Sequence, residues 1–238
     1  MPPLLHAKAI VKRFGGVTAL AGVEIELAEN EILGLIGPNG SGKTTLVNCI
    51  SGVHKIDGGD VFLRERSLGH ASRTRRARAG MARTFQTPRL FSELSVRENV
   101  AVGGNASRTR RSPGRTRVET LLGRLGLSDL SRDVVSSLAY GYQRRVEIAR
   151  ALVSEPEVLL LDEPAAGLND AETADLRELL LDIRKEGCAI IVIDHDMDLI
   201  MNVSDRVQAL DDGRVIFVGA PADAFKERAV VEAYLGAT

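Results

Sequence analysis

The chain has 238 residues, 44% of them hydrophobic and 26% charged, enough apolar material to bury about 70–75% of its unfolded surface without disulfide or metal staples. That balance excludes a disordered or low-complexity chain. A formal net charge of −1 excludes a molecule that acts as a polyanion or polycation as a whole.

Met1-Pro2-Pro3-Leu4-Leu5-His6 lacks the charged region and long apolar core of an export signal. No apolar stretch approaches the roughly 18 residues of a membrane helix, so a soluble, unexported chain is expected. Val23-Glu24-Ile25-Glu26-Leu27 alternates with period 2, as a half-buried strand does. Residues 31–36 form a short apolar run ending at Gly37, which predicts a buried strand, and 44–50 predicts a helix closed by Ser51-Gly52. Gly58-Gly59-Asp60 turns into a strand over 61–63. From about 92 to 153 the pattern is helical, best over 117–125 and 143–153, while the Gly, Ser, Pro and Arg of 103–117 predict a loop. Residues 158–161 are an uninterrupted branched run ending in two acids. A helix is predicted over 170–186, closed by Gly187. Ala189-Ile190-Ile191-Val192-Ile193 has the fully apolar character of a strand buried on both faces of a parallel sheet. A hairpin follows, 207–210 and 215–218 around Asp212-Gly213. Strand–helix alternation at both ends predicts an α/β parallel sheet interrupted by a helical insert. Cys49 and Cys188 stand far apart with no CxxC neighbour, which excludes a zinc ribbon, a thioredoxin motif and a disulfide framework. Both lie in apolar runs and are expected to be small buried hydrophobes.

Charge is unevenly spread. Residues 64–117 hold fourteen Arg against Glu65, Glu93 and Glu98, a local net of +11 that leaves −12 elsewhere. Such a segment suits nucleic acid, anionic lipid or an acidic partner. It also suits a solvated face with a loop, and the lack of interleaved aromatics in 103–117 weakens a single-strand stacking role.

Gly37-Pro38-Asn39-Gly40-Ser41-Gly42-Lys43-Thr44 fits G-x-x-x-x-G-K-[ST] between a predicted strand and a predicted helix. Glycines let the backbone wrap a phosphate and aim N–H groups inward, and the helix N-terminus adds a positive dipole end. Lys43 supplies a charge to the β/γ phosphates, the Thr44 hydroxyl can ligate Mg²⁺, and Thr45 follows as a further phosphate contact. Asp162 and Glu163 end the run 158–161, and ligands bind beyond the carboxyl ends of parallel strands. Asp162 can hold hydrated Mg²⁺ and Glu163 can orient or deprotonate the attacking water; taken alone, the pair also fits a helix N-cap. His195 follows the next apolar strand, placed to bond a γ-phosphate or to serve as a structural histidine. His6, His54 and His70 have no such placement and are expected at the surface.

These residues resemble the nucleotide-binding subunit of ABC transporters over essentially the whole chain. Six elements occur in that family's order. Phe14, in Lys12-Arg13-Phe14-Gly15, resembles the aromatic that stacks on adenine. The phosphate loop follows. Gln86, in Arg83-Thr84-Phe85-Gln86, is similar to the Gln that senses Mg²⁺ and the membrane partner. Leu138-Ala139-Tyr140-Gly141-Tyr142-Gln143-Arg144-Arg145 resembles the signature segment. Asp162-Glu163 matches the second acidic motif, with Ala165-Ala166-Gly167-Leu168-Asn169-Asp170 as the dimer-contact loop. His195 matches the switch histidine. Two departures stand out: Ala139 where the general signature has Ser, and Tyr142 where it has Gln. The loop 103–117 is also short for the subfamily described next.

The strings 82–86, 138–141, 162–169 and Tyr234-Leu235-Gly236 resemble branched-chain amino acid importers, with urea and short-amide importers as close relatives. The resemblance implies a P-loop NTPase of RecA-like type. It would have a mostly parallel core with an antiparallel β subdomain (together about 1–86 and 155–238) and a helical subdomain insert (about 87–154). It implies ATP and Mg²⁺ as ligands, with Phe14, Asn39, Gly40, Ser41, Gly42, Lys43, Thr44 and Thr45 on the nucleotide. Thr44, Gln86 and Asp162 would serve the metal, and Lys43, Gln86, Glu163 and His195 the hydrolysis. Ala139 and Gly141 would face the ATP of a second ATPase subunit, identical or paralogous. Further implied partners are integral-membrane permease subunits and, indirectly, an extracytoplasmic solute-binding protein, with no nucleic acid. The expected location is the cytoplasmic face of the cell membrane, held peripherally. An export-type subunit, or a soluble ABC ATPase without transport, are the competing expectations.

Overall fold

The computed structural model describes residues 2–106 and 115–236. In chain order it builds β1 (Leu5–Phe14), β2 (Val17–Leu27), β3 (Ile32–Ile36), α1 (Lys43–Ile50), β4 (Gly58–Leu63), β5 (Arg66–Ser67), α2 (Arg73–Ala79) and β6 (Met81–Arg83). Helices α3 (Val96–Gly103), α4 (Arg115–Arg124) and α5 (Tyr140–Leu152) follow, then β7 (Val158–Asp162), α6 (Asp170–Lys185), β8 (Ala189–Ile193) and α7 (Met197–Val203). The chain continues through β9 (Arg206–Asp211), β10 (Arg214–Gly219), α8 (Pro221–Ala224) and α9 (Arg228–Leu235).

Two sheets form. β2-β1-β4-β5 is antiparallel, and β10-β9-β3-β8-β7-β6 is parallel except for the β9–β10 hairpin. Alternate residues of the central strands feed two separate cores. Ile32, Ile36, Leu159, Leu161, Ile190 and Val192 face the helices. Leu33, Leu35, Val158, Leu160, Ile191 and Ile193 face α1 and the antiparallel sheet. Burial on both faces is why these strands carry no polar alternation.

Three strands lacked a sequence signal: β1, the two-residue β5 and β6. In β1 the register slips between Ala7 and Ile10, where Ala9 has φ +50°, and the bulge breaks the period-2 pattern. β6 has three residues, too few to show a period. Among the described residues of 84–157, the regular elements are α3, α4, α5 and two short 3₁₀ stretches at Gly104–Ala106 and Val135–Ser137. The predicted loop 103–117 is narrower than expected at both ends. Gly103 closes α3 and Arg115 opens α4; residues 107–114 lie outside the described residues.

The Arg-rich segment is not simply a solvated face, because Arg76 is 1% exposed. Its guanidinium donates to the carbonyls of Cys49 (2.7 Å), Gly69 (2.9 Å) and Ala71 (3.2 Å), and also to Ile50. Two of these acceptors, the Cys49 and Ile50 carbonyls, are at the C-terminus of α1, where Cys49 also accepts from the Gly52 N–H at 3.2 Å. Both cysteines are buried, and burial pushes their thiols up to about 11 for Cys49 and about 12 for Cys188.

Candidate active site

Strand order brings four sequence-distant segments into one row. β3, β8, β7 and β6 are consecutive neighbours, so the loops after their carboxyl ends lie side by side. Those strand ends, loops and the start of α1 carry Gly37–Thr44, His195, Asp162-Glu163 and Gln86.

The loop after β3 turns through three glycines with positive φ: Gly37 (+142°), Gly40 (+83°) and Gly42 (+105°). A Cβ on Gly37 would stand 2.1 Å from the Leu210 carbonyl oxygen, so only glycine fits there. Asn39 and Gly40 are exposed at the tip, Thr44 is exposed, Thr45 is half-buried, and Ser41 Oγ is buried without a hydrogen-bond partner. Lys43 is buried and folds back, its Nζ donating to the carbonyls of Gly37 (2.6 Å) and Pro38 (2.9 Å). Burial lowers its pKa, opposed by the nearby charges of Glu163 and Asp162. A partly desolvated cation in the first position of α1 is suited to a polyanionic ligand.

Glu163 is held from three sides. Its backbone sits at φ +50°, a sparsely populated region for a non-glycine residue. Its N–H donates to the Ile193 carbonyl at 2.7 Å. Its Oε2 accepts from Gln86 Nε2 at 2.7 Å, and its Oε1 lies 3.2 Å from His195 Nε2. The helix N-cap alternative for the acidic pair does not hold, since the next helix is capped by Asn169, which accepts from Glu172 N at 3.0 Å.

Asp162 is 2% exposed. Oδ2 accepts from Arg83 Nη2 at 2.9 Å. Oδ1 is buried and makes no full hydrogen bond, although the Thr44 hydroxyl is close enough to favour its charged form. Burial raises the Asp162 pKa and Arg83 opposes that rise. An unsatisfied buried carboxylate oxygen beside a hydroxyl fits a hard divalent cation such as Mg²⁺.

Several supporting roles escaped the sequence reading, although Arg83 and Arg144 lie within motif strings it singled out. Arg83 also donates to Asn48 Oδ1 and to Ser51 Oγ at 3.0 Å, tying Asp162 to α1. Asp194, buried, accepts from Ala165 N at 2.8 Å and Asp196 N at 2.9 Å, which fixes the loop 163–169. Arg144 and Glu147 are each 1% exposed and pair at 2.9 Å. Arg144 donates to the carbonyls of Phe85 (2.6 Å), Gln86 (2.6 Å) and Glu163 (3.2 Å), and to Tyr140 Oη (3.1 Å). Glu147 accepts from the Phe85 and Arg89 amides. Their i,i+3 spacing on α5 was the available signal. His70 is exposed as expected, but His6 and His54 are half-buried rather than at the surface, and His54 meets the exposed Phe14 ring edge-on at 5.2 Å.

Ala139 and Gly141 are not part of the row; they open α5 beside α6, where a Cβ on Gly141 would stand 2.3 Å from Glu172 Oε1. Ala139 is the N-cap of α5 and gives it no side-chain cap. Ala139→Ser is therefore expected to raise stability by about 1 kcal/mol, measured by urea unfolding; an unchanged or lower midpoint would contradict this N-cap geometry.

A glycine loop on a buried strand, a desolvated lysine and a strained, twice-bonded glutamate together define a phosphate-loop ATPase cassette. Residues 20–166 match the ABC transporter family, and the chain belongs to it. It is 43% identical, over 98% of both chains, to the high-affinity branched-chain amino acid transport ATP-binding protein LivG of Salmonella typhimurium. It is 36% identical, over 98% of both, to the corresponding protein BraF of Pseudomonas aeruginosa. The lipopolysaccharide export ATP-binding protein LptB of Acidithiobacillus ferridurans is 33% identical over 99% of this chain and 98% of its own. Among solved structures, the ADP conformation of an ATP-binding cassette of an ABC transporter superposes with TM-score 0.89 at 31% identity, covering 99% of this chain and 100% of that one.

Proposed function

We propose that this chain is the ATP-hydrolysing subunit of an importer for branched-chain amino acids. The convergence of Gln86 and His195 on Glu163 carries the ATPase part, and the similarity to LivG and BraF supports the cargo class. The amides of 40–45 and Lys43 would hold the phosphates, and Phe14 would stack on adenine. Thr44, Asp162 and Gln86 would hold Mg²⁺, which when bound neutralises charge on the β- and γ-phosphate oxygens. Glu163 would orient and deprotonate the attacking water, with His195 bonding the γ-phosphate. Lys43 Nζ spends two of its three donors on the carbonyls of Gly37 and Pro38, which leaves one for a phosphate in the present arrangement. Ala139 and Gly141 would meet the ATP of a second ATPase subunit. Binding ATP across both faces gives the closed dimer its differential affinity, which is the only means by which a ligand moves a conformational equilibrium.

No described helix is long and apolar enough to cross a membrane, so the proposal needs separate permease subunits, with this chain held at the cytoplasmic face. A groove of about 630 Å³ between α2, α3 and α5, lined by Arg73, Phe85, Phe91, Glu147 and Arg150, supports docking of a permease helix. Phe91 is half-exposed there. Changing the exposed Arg73, Arg75 and Arg78 to Gln, while sparing the buried Arg76, is expected to weaken assembly with the permeases roughly tenfold, more at low salt. Pull-down affinity against salt measures this; unchanged assembly would leave the arginines a solvated face.

Reconstitution with permease candidates and a solute-binding protein tests the whole reading. Leucine, isoleucine or valine is expected to stimulate hydrolysis. Stimulation by urea or short amides would move the cargo class. Stimulation by lipopolysaccharide would favour export, a reading with some support from the LptB similarity. Full hydrolysis with no permease dependence would favour a soluble ATPase.

A further inference from the structure

We propose that Tyr234, in the last turn of α9, is a positioning residue of the phosphate loop, with its hydroxyl fixing Gly37 so that the loop keeps its grip on the β-phosphate. This rests on the nucleotide reading of the loop.

The Gly37 N–H donates to Tyr234 Oη at 2.9 Å. The Gly37 carbonyl accepts from Lys43 Nζ at 2.6 Å. The residue is therefore held at both ends, on one side by the C-terminal helix and on the other by the lysine that serves the phosphates. It has no steric slack either, since the Leu210 backbone occupies the space a Cβ would need. Lys43 must share its three N–H donors between the loop carbonyls and a phosphate, whereas the Tyr234 hydroxyl restrains Gly37 without serving the phosphates. The hydroxyl is itself well held. The Tyr234 ring is half-buried, packs against the main helical core and lies 6.4 Å from Phe225, while Val230 anchors α9 at 0% exposure. Burial raises the Tyr234 pKa, so the group stays a neutral hydroxyl near pH 7. Phenylalanine would keep the ring packing and remove only the acceptor, leaving a backbone N–H unpaired at the root of the loop.

The test compares wild type, Tyr234→Phe and Leu235→Ala, an exposed neighbour on the same helix. Binding of MgADP, MgATP and AMP is measured by calorimetry, with steady-state hydrolysis alongside. For Tyr234→Phe the dissociation constants for MgADP and MgATP are expected to rise about five- to twentyfold, and AMP, which lacks the β-phosphate, to change less than about twofold. KM should rise with kcat within about twofold, because the grip acts equally on ground and transition states. Leu235→Ala should match wild type. Unchanged MgADP affinity in Tyr234→Phe, an equal loss for AMP, or an equal loss in Leu235→Ala would overturn the proposal. If wild type bound no nucleotide, the nucleotide reading itself would fail first. Should Tyr234→Phe not fold, hydrogen exchange at the Gly37 N–H of wild type decides. Protection that persists when MgADP is added supports the restraint, and its loss on MgADP binding overturns it.

Discussion

Glu163→Gln is expected to lower kcat for MgATP hydrolysis by about 10²–10⁴-fold while leaving MgATP binding within a few-fold of wild type. Two geometric facts set that expectation. Glu163 approaches Gln86 and His195 through separate oxygens, and its backbone is fixed by the bond to Ile193 and a strained φ. Gln keeps the shape and can still bond Gln86, so the site persists; what it loses is a basic oxygen for the water's proton. Under the proposed dimer, slow hydrolysis should trap an ATP-bound pair, visible by size-exclusion chromatography in MgATP. Wild-type turnover in this variant would remove Glu163 as the base.

Arg144→Met is expected to destabilise the fold by about 3–5 kcal/mol, the cost of stranding a buried carboxylate. Glu147 would remain at 1% exposure with its charge uncompensated, and burial already raises its pKa. Adding Glu147→Leu should recover much of that stability, because an apolar pair replaces an ion pair of similar bulk. Activity should not recover with it. Arg144 also holds the carbonyls of Gln86 and Glu163, so kcat should stay about tenfold down in both variants. Urea unfolding and steady-state kinetics on the three proteins separate the two roles. Recovery of kcat in the double variant would confine Arg144 to stability.

The short apolar runs legible in sequence, 31–36, 158–161 and 189–193, form β3, β7 and β8 with ends within a residue or two. Their apolar character required burial on both faces, and only an interior parallel sheet supplies that. The loop at Gly37–Thr44 was equally legible, because a glycine-dependent backbone and a fixed lysine spacing are local properties of the chain. β1, β5 and β6 were not legible, the first through a bulge and the others through brevity.

Sequence by itself determined which side chains carry charge, basicity or a polar amide: Lys43, Asp162, Glu163, His195 and Gln86 are recognisable from their immediate neighbours. Only the tertiary structure decided that they meet. The order β3-β8-β7-β6 places adjacent in space four loops that the chain visits far apart, and no local pattern encodes strand order. The same holds for the supports. Arg83 on Asp162, Arg144 on two backbone carbonyls and Tyr234 on Gly37 are contacts between distant segments. An arginine or tyrosine that ends in the interior is indistinguishable in sequence from one at the surface, because its burial depends on whether folding brings it a partner that offsets desolvation.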